Sequence, residues 1–323
     1  MPILSAIYVR LPNWIGDVCM CLPSLQALLD TGVPVVACAR PWARDLLSAY
    51  DLAGFVEMHG RWREDRAAVD AHRKKSRHVH TRGLLLPDSL SSAMVFKFAG
   101  VPSAGYRDDG RSLILRWPLR KPPASLHAVE SWYHATSQAL TRWGLATKSN
   151  RPGPRLGLKL SARNLALGRQ AAAEAGLEPG RFVLIAPTAT GLHRGRVKVW
   201  PHFDALTRSL QELGHVVAMC PPPAELAEAN ANAPTALRLA PLHLGAFATL
   251  TALAGLVVCN DSGVSHIAAA ADARQLTLFG VTERTRTGPW SPRATCLGSS
   301  TRWPTLDQVR DTACELLRQD PDQ

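Results

Sequence analysis

The 323-residue sequence predicts an α/β protein built as two doubly wound halves. Three observations carry this. Short apolar runs alternate with helical patterns through the first hundred residues. The stretch "KSNRPGPRLGLK" at 148–159 is rich in proline, glycine and basic residues, as linkers are. A second series of apolar runs and helical patterns then follows. A β-α-β-α rhythm implies a parallel sheet with helices on both faces. The expected division is two Rossmann-like domains, 1–155 and 156–323, facing a central cleft.

In the first half, "ILSAIYV" reads as a buried strand and Val18 to Leu29 as a helix. "VPVVACA" is a strand, and "PWARDLLSAY" a helix with proline in its first turn. "GFVEM" and "GLLLP" are further strands. "DSLSSAMVFKFAG" reads as a helix capped by Asp88 and ended by Gly100, after which the pattern dissolves. In the second half, the strands are "RFVLIAP", "HVVAMCP", "LVVCN" and "QLTLFG", separated by helical stretches such as "HFDALTRSLQELG".

Composition narrows the class. Hydrophobic residues make up 46% and charged residues 20%, which excludes a disordered chain. The formal charge of +11 points to an anionic partner: nucleic acid, a phosphorylated substrate or an acidic membrane surface. Nucleic acid fits least, because basic stripes interleaved with aromatics and recognised nucleic-acid modules are both missing from the sequence. The seven cysteines, none in a C-x-x-C spacing, read as buried reduced thiols of a cytoplasmic protein. "MPILSAIYVRLPNW" lacks the basic start and long apolar core of a signal peptide. The run from Leu242 to Cys259 is shorter than the ~20 residues that a membrane span needs.

Three strand-to-helix loops carry polar groups that a bare connection does not need. "LPNWIGDVCM" follows the first strand, where open α/β sheets hold ligands. Gly16 permits the turn, and Asp17 reads either as a helix N-cap or as a general base. The loop is not G-x-G-x-x-G, so a dinucleotide fingerprint is absent. "VVCNDSGVSHIAAAA" ends a strand at Asn260 and starts a helix near Ser262. Asp261, Ser262 and Gly263 would then stand at a helix N-terminus suited to phosphate, with His266 one turn in; a plain capped helix is the other reading. "APTATGLHRGRVKVWPHF" places His193, Arg194, Arg196 and Lys198 after a strand. It reads as a solvated basic loop or as a pyrophosphate site.

Taken in order, "LPNWIGDVCMCLPSLQAL", "LLLPDSLSSAMVFKFAGVPSAGYR", "KVWP" and "NDSGVSHIAAA" resemble the heptosyltransferases of lipopolysaccharide core synthesis. These are glycosyltransferases of family nine with the GT-B fold, and the likeness spans nearly the whole chain. The resemblance implies inverting transfer of heptose from ADP-heptose to a phosphorylated glycolipid acceptor. The site would be the cytoplasmic face of the inner membrane, with peripheral contact and no nucleic acid. It implies that Asp17 is the base and that Lys198 meets the nucleotide-sugar phosphates. Thr188, Thr190, Glu225, Asp261, Ser262, Gly263 and His266 would join the donor site. Asn13, Gly16, Arg61, Arg63 and Arg111 would serve the acceptor. It also implies that the last helix, Leu306 to Arg318, packs back on the first half. No cofactor is expected, since ADP-heptose is a substrate. No metal is indicated, because clusters of histidine, cysteine and carboxylate residues at metal-ligand spacing are missing from the sequence. The sequence departs from the family's glycine-rich turn at "CPPPAEL" and is longer between Thr188 and Lys198. A family member with another sugar donor or a protein acceptor is the alternative.

Overall fold

The computed structural model describes residues 4–122, 125–189, 191–193 and 195–319. The chain divides into two compact units, Met1–Gly153 and Pro154–Gln323. Each is built on its own six-stranded, all-parallel sheet.

In the first unit the strands are β1 (Ala6–Arg10), β2 (Val35–Ala39), β3 (Gly54–Glu57), β4 (Thr81–Leu85), β5 (Ser103–Tyr106) and β6 (Trp117–Leu119). They lie in the order β3-β2-β1-β4-β5-β6. The order reverses between β1 and β4, so the connections after these two strands diverge to opposite faces and open a crevice at the sheet's carboxyl edge. The helices are α1 (Ile15–Met20), α2 (Leu22–Leu29), α3 (Ala43–Leu46), α4 (Trp62–Lys75), α5 (Leu90–Phe98) and α6 (Ala128–Arg142).

Three expectations need correction here. The helix expected from Val18 to Leu29 starts at Ile15 and breaks at Cys21. Pro23 causes the break, since it has no N–H to continue the ladder and its ring crowds the preceding turn. The cap of α5 is Ser89, which accepts from Ser92 N–H, while Asp88 is engaged in ion pairs. Beyond Gly100 the unit continues through β5, β6 and α6. Those strands are too short to show periodicity, but α6 carries a capping box between His127 and Glu130.

The second unit repeats the topology. Its strands are β7 (Phe182–Ala186), the hairpin pair β8 (Leu192–His193) and β9 (Arg196–Val197), β10 (Val216–Met219), β11 (Leu237–Arg238), β12 (Leu256–Asn260), β13 (Gln275–Phe279) and β14 (Ala294–Gly298). The order β11-β10-β7-β12-β13-β14 reverses between β7 and β12. Its helices are α7 (Ala162–Glu174), α8 (Phe203–Glu212), α9 (Leu226–Asn232), α10 (Leu244–Leu253), α11 (Gly263–Ala270), α12 (Arg284–Thr287) and α13 (Leu306–Arg318).

Branched and aromatic side chains fill both cores. Tyr8, Val36, Val56, Leu85 and Phe96 belong to the first, and Val183, Ile185, Leu206, Val258 and Leu278 to the second. A Cβ on Gly168 would lie 2.5 Å from Thr249 Cβ and 2.7 Å from Ala246 O, so glycine is what lets α7 lie directly on α10. The final helix α13, expected against the first half, buries Val309 and Ala313 in the second unit's core beside α8 and β12. Among the described residues, no helix is long and apolar enough to cross a membrane. All seven cysteines are free thiols. Burial pushes Cys19, Cys38 and Cys259 up to about 12.

Candidate active site

At the first unit's switch point, β1 ends in Arg10, which is 3% exposed. Its guanidinium donates to the carbonyls of Leu11 and Cys38 and to Asn13 Oδ1, the last at 2.5 Å. The loop from Leu11 to Trp14 is thus held by a buried cation. Trp14 occupies the N-cap of α1 in an extended conformation without a side-chain cap bond. Gly16 is buried in the first turn, and Asp17 is the third residue of α1. Asp17 is therefore not the cap. Among the described residues its carboxylate has no hydrogen bond or ion pair, and desolvation raises its pKa from 3.8 to about 6. Such a carboxyl group accepts a proton readily near neutral pH.

The facing loop, after β4, is tied to the same strand: Leu86 N–H donates to Arg10 O at 3.1 Å. Arg111, expected to bind acceptor phosphate, is fully buried. It pairs with Asp88 at 3.0 Å and donates to the carbonyls of Asp108 and Pro87. Its donors face inward, so its role is to hold this loop rather than to contact a phosphate. Lys121 bridges Asp88 and Asp108 at 2.7 and 2.6 Å.

After β3, the backbone N–H groups of His59 and Gly60 donate to the buried Asp65 carboxylate at 2.7 and 3.0 Å. This turn brings Arg61 to the N-cap of α4. Arg61 is exposed and pairs with Glu64 at 2.7 Å, while the Arg63 guanidinium lies 5.6 Å from the Trp62 ring centroid. Cations at a helix N-terminus oppose the helix dipole, and Glu64 and Asp65 in the same turn offset that opposition. The first unit holds 20 basic and 12 acidic residues, against 17 and 14 in the second, so most of the net positive charge lies here.

The second unit's switch point gathers the other candidates. Thr188, just past β7, donates its hydroxyl to Glu225 Oε2. In this arrangement its one hydroxyl hydrogen is committed to Glu225. Thr190 and Arg194 lie outside the described residues. Arg196 donates to the carbonyls of Gly280 and Ser300, pinning the β8–β9 hairpin. Lys198 is half-buried and, among the described residues, has no ion-pair partner. Two residues on, Trp200 is 1% exposed, and its ring N–H donates to Pro304 O at 2.9 Å.

Across the switch point, Asp261 follows β12, and Ser262 caps α11 by accepting from Val264 N–H. Among the described residues, the N–H groups of Ser262 and Gly263 have no protein acceptor, which leaves them available to an anion. His266 is buried one turn into α11. Sequence reasoning missed Asp65 in the first unit and, in the second, Asn260, whose amide bonds to Trp200, Ala186 and Thr188. A polar residue closing an otherwise apolar strand was the available sign for Asn260. Among the described residues, no group of three or more His, Cys, Asp or Glu side chains could hold a metal ion.

Two Rossmann-like sheets in strand order 3-2-1-4-5-6, each carrying polar groups at its switch point, define the architecture of a GT-B glycosyltransferase. The chain belongs to glycosyltransferase family 9 (heptosyltransferase), whose model matches residues 69–317. It is 26% identical to lipopolysaccharide heptosyltransferase 2 of Escherichia coli K12, over 88% of this chain and 85% of that protein. Among solved structures, E. coli ADP-heptose lps heptosyltransferase II matches with a TM-score of 0.75 and 22% identity, covering 97% of this chain and 98% of that one. A family 9 glycosyltransferase from Veillonella parvula matches at 0.80 and 15%, covering 97% of both chains. E. coli heptosyltransferase WaaC with ADP matches at 0.75 and 19%, covering 96% and 99%.

Proposed function

We propose that the protein transfers heptose from ADP-heptose to a hydroxyl of a phosphorylated lipopolysaccharide inner-core acceptor, with inversion at the anomeric carbon. The observation that carries this reading is Asp17: a desolvated carboxyl without a partner among the described residues, in the first turn of α1 of a family 9 chain. Asp17 takes the acceptor's proton as the oxygen attacks the anomeric carbon, and ADP departs from the opposite face. Lys198 and the first-turn N–H groups of α11 stabilise the charge that grows on the departing diphosphate. No metal is needed for this step, because charge is met by these groups. Glu225 receives the ribose, and Asp261 and His266 complete the donor side.

Arg61 and Arg63, at the N-terminus of α4, meet the acceptor's phosphates, and Asn13 and Gly16 shape the acceptor side after β1. Trp14 is 72% exposed and Leu113 86%, and Trp62 and Leu90 are also exposed. Trp14, Trp62 and Leu90 stand at the N-termini of α1, α4 and α5 of the more basic unit, which supports peripheral contact with an anionic membrane from the cytoplasmic side. The decisive experiment screens ADP-sugars and UDP-sugars against purified inner-core acceptor, read by the mass of the product. Heptose addition from ADP-heptose alone supports the reading. Transfer from another donor, or to a protein, would replace it with the alternative within the family. Thermal stabilisation by ADP without salt-sensitive retention on heparin separates both from nucleic-acid binding.

A further inference from the structure

We infer that Asn260 is a positioning residue that holds the donor-binding segments of the second unit in one arrangement; the inference rests on the donor reading given above. Its side chain is fully buried at the last position of β12. Oδ1 accepts from the backbone N–H of Trp200 at 2.8 Å, and Nδ2 donates to the carbonyls of Ala186 and Thr188, each at 3.3 Å. One amide therefore joins the end of β7 and the Thr188–Glu225 pair to the segment that carries Lys198. Through its own backbone it leads directly into Asp261 and the cap of α11. Thr188, Lys198, Asp261, Ser262 and His266 lie on segments that Asn260 touches or continues, and Glu225 is reached through Thr188.

The chemistry of the amide is specific. The site requires one acceptor and two donors on a short stem, which only asparagine provides. A carboxylate supplies acceptors alone, and glutamine is one methylene longer. Anchoring the Trp200 ring does not require Asn260, because the ring is packed in the core and bonded to Pro304 O. What Asn260 sets is the backbone path that runs from Trp200 back to Lys198.

The test is Asn260→Asp, nearly isosteric. At pH 8 the carboxylate still accepts from Trp200 N–H but faces two carbonyl oxygens, so one segment must retreat. The expected result is a cooperatively folded protein that binds ADP at least about tenfold more weakly by calorimetry. The KM for the donor rises in parallel while that for the acceptor stays unchanged. At pH 5.5 a protonated carboxyl can again donate to one carbonyl. The ratio of wild-type to variant ADP affinity should therefore narrow by about threefold or more. Lys198, Glu225, Asp261 and His266 are common to both proteins, so their contributions cancel in the ratio. A merely structural role predicts a lower Tm with a ratio near one that does not move with pH. Wild-type ADP binding together with a folded Asn260→Asp protein within twofold of it at pH 8 overturns the inference. Failure of the wild type to bind ADP at all would instead overturn the donor reading. Should Asn260→Asp not fold, Asn260→Ser decides. This shorter, neutral variant should bind ADP about threefold or more weakly at both pH values, and wild-type affinity would sink the inference.

Discussion

Replacing Asp17 by asparagine should stabilise the protein and remove its activity together. Burial raises the carboxyl pKa from 3.8 to about 6, so the folded state binds this proton more tightly than the unfolded chain does. Two pKa units correspond to about 3 kcal/mol of stability lost at neutral pH to keep the group charged. The first-turn position in α1 offsets this by up to ~1 kcal/mol, because a negative charge is favoured there. Asp17→Asn should then gain about 2 kcal/mol above pH 6, or roughly 4–8 °C in the Tm of the first unit. The gain should shrink as pH falls from 6 to 4 and vanish below that, where the wild-type carboxyl is neutral in both states. Turnover, followed by ADP release, should fall by about 10²-fold or more, with ADP affinity unchanged. Wild-type kcat/KM should rise tenfold per pH unit below an inflection near 6 and level off above it. Near-normal turnover in Asp17→Asn would refute the base. An identical Tm for both proteins at pH 8 would refute the desolvation argument.

Lys198→Ala should behave differently, lowering kcat and weakening ADP together, because its charge is matched to the departing diphosphate; calorimetry beside turnover reads both. Arg61→Ala with Arg63→Ala should raise the acceptor KM and flatten its salt dependence while leaving ADP binding nearly intact. Equal weakening of both substrates would contradict that division of labour. Arg111→Ala should cost about 3 kcal/mol in denaturant unfolding, since it removes a fully buried cation and leaves Asp88 short of a partner. ADP affinity should stay unchanged, and a fully stable Arg111→Ala protein would contradict the buried role assigned to this residue.

The alternation of apolar runs and helical patterns was sufficient to read the parallel α/β class, because buried parallel strands are continuous apolar segments and need no distant information. The proline- and glycine-rich stretch 148–159 contains the division between Gly153 and Pro154. Gly16, Asp17 and Asp261 stood out as candidates because each is next to a recognisable strand or helix, whereas Lys198 was singled out by the family resemblance. The short strands β5 and β6 were not legible, since a three- or four-residue strand shows no periodicity and forms only when a neighbour offers its edge. Side-chain partners were equally hidden. An arginine written beside other arginines looks like a surface cation, yet Arg111 turns inward, because Asp88, 23 residues earlier, meets it in the fold. Thr188 is held by Glu225, 37 residues later, and Asn260 by carbonyls more than 70 residues before it. Local sequence determines the strands, helices and turns, because backbone preference and hydrophobic burial act over a few residues. Which polar groups meet was decided only by the tertiary structure, because a buried hydrogen bond depends on where the strand order brings distant segments together.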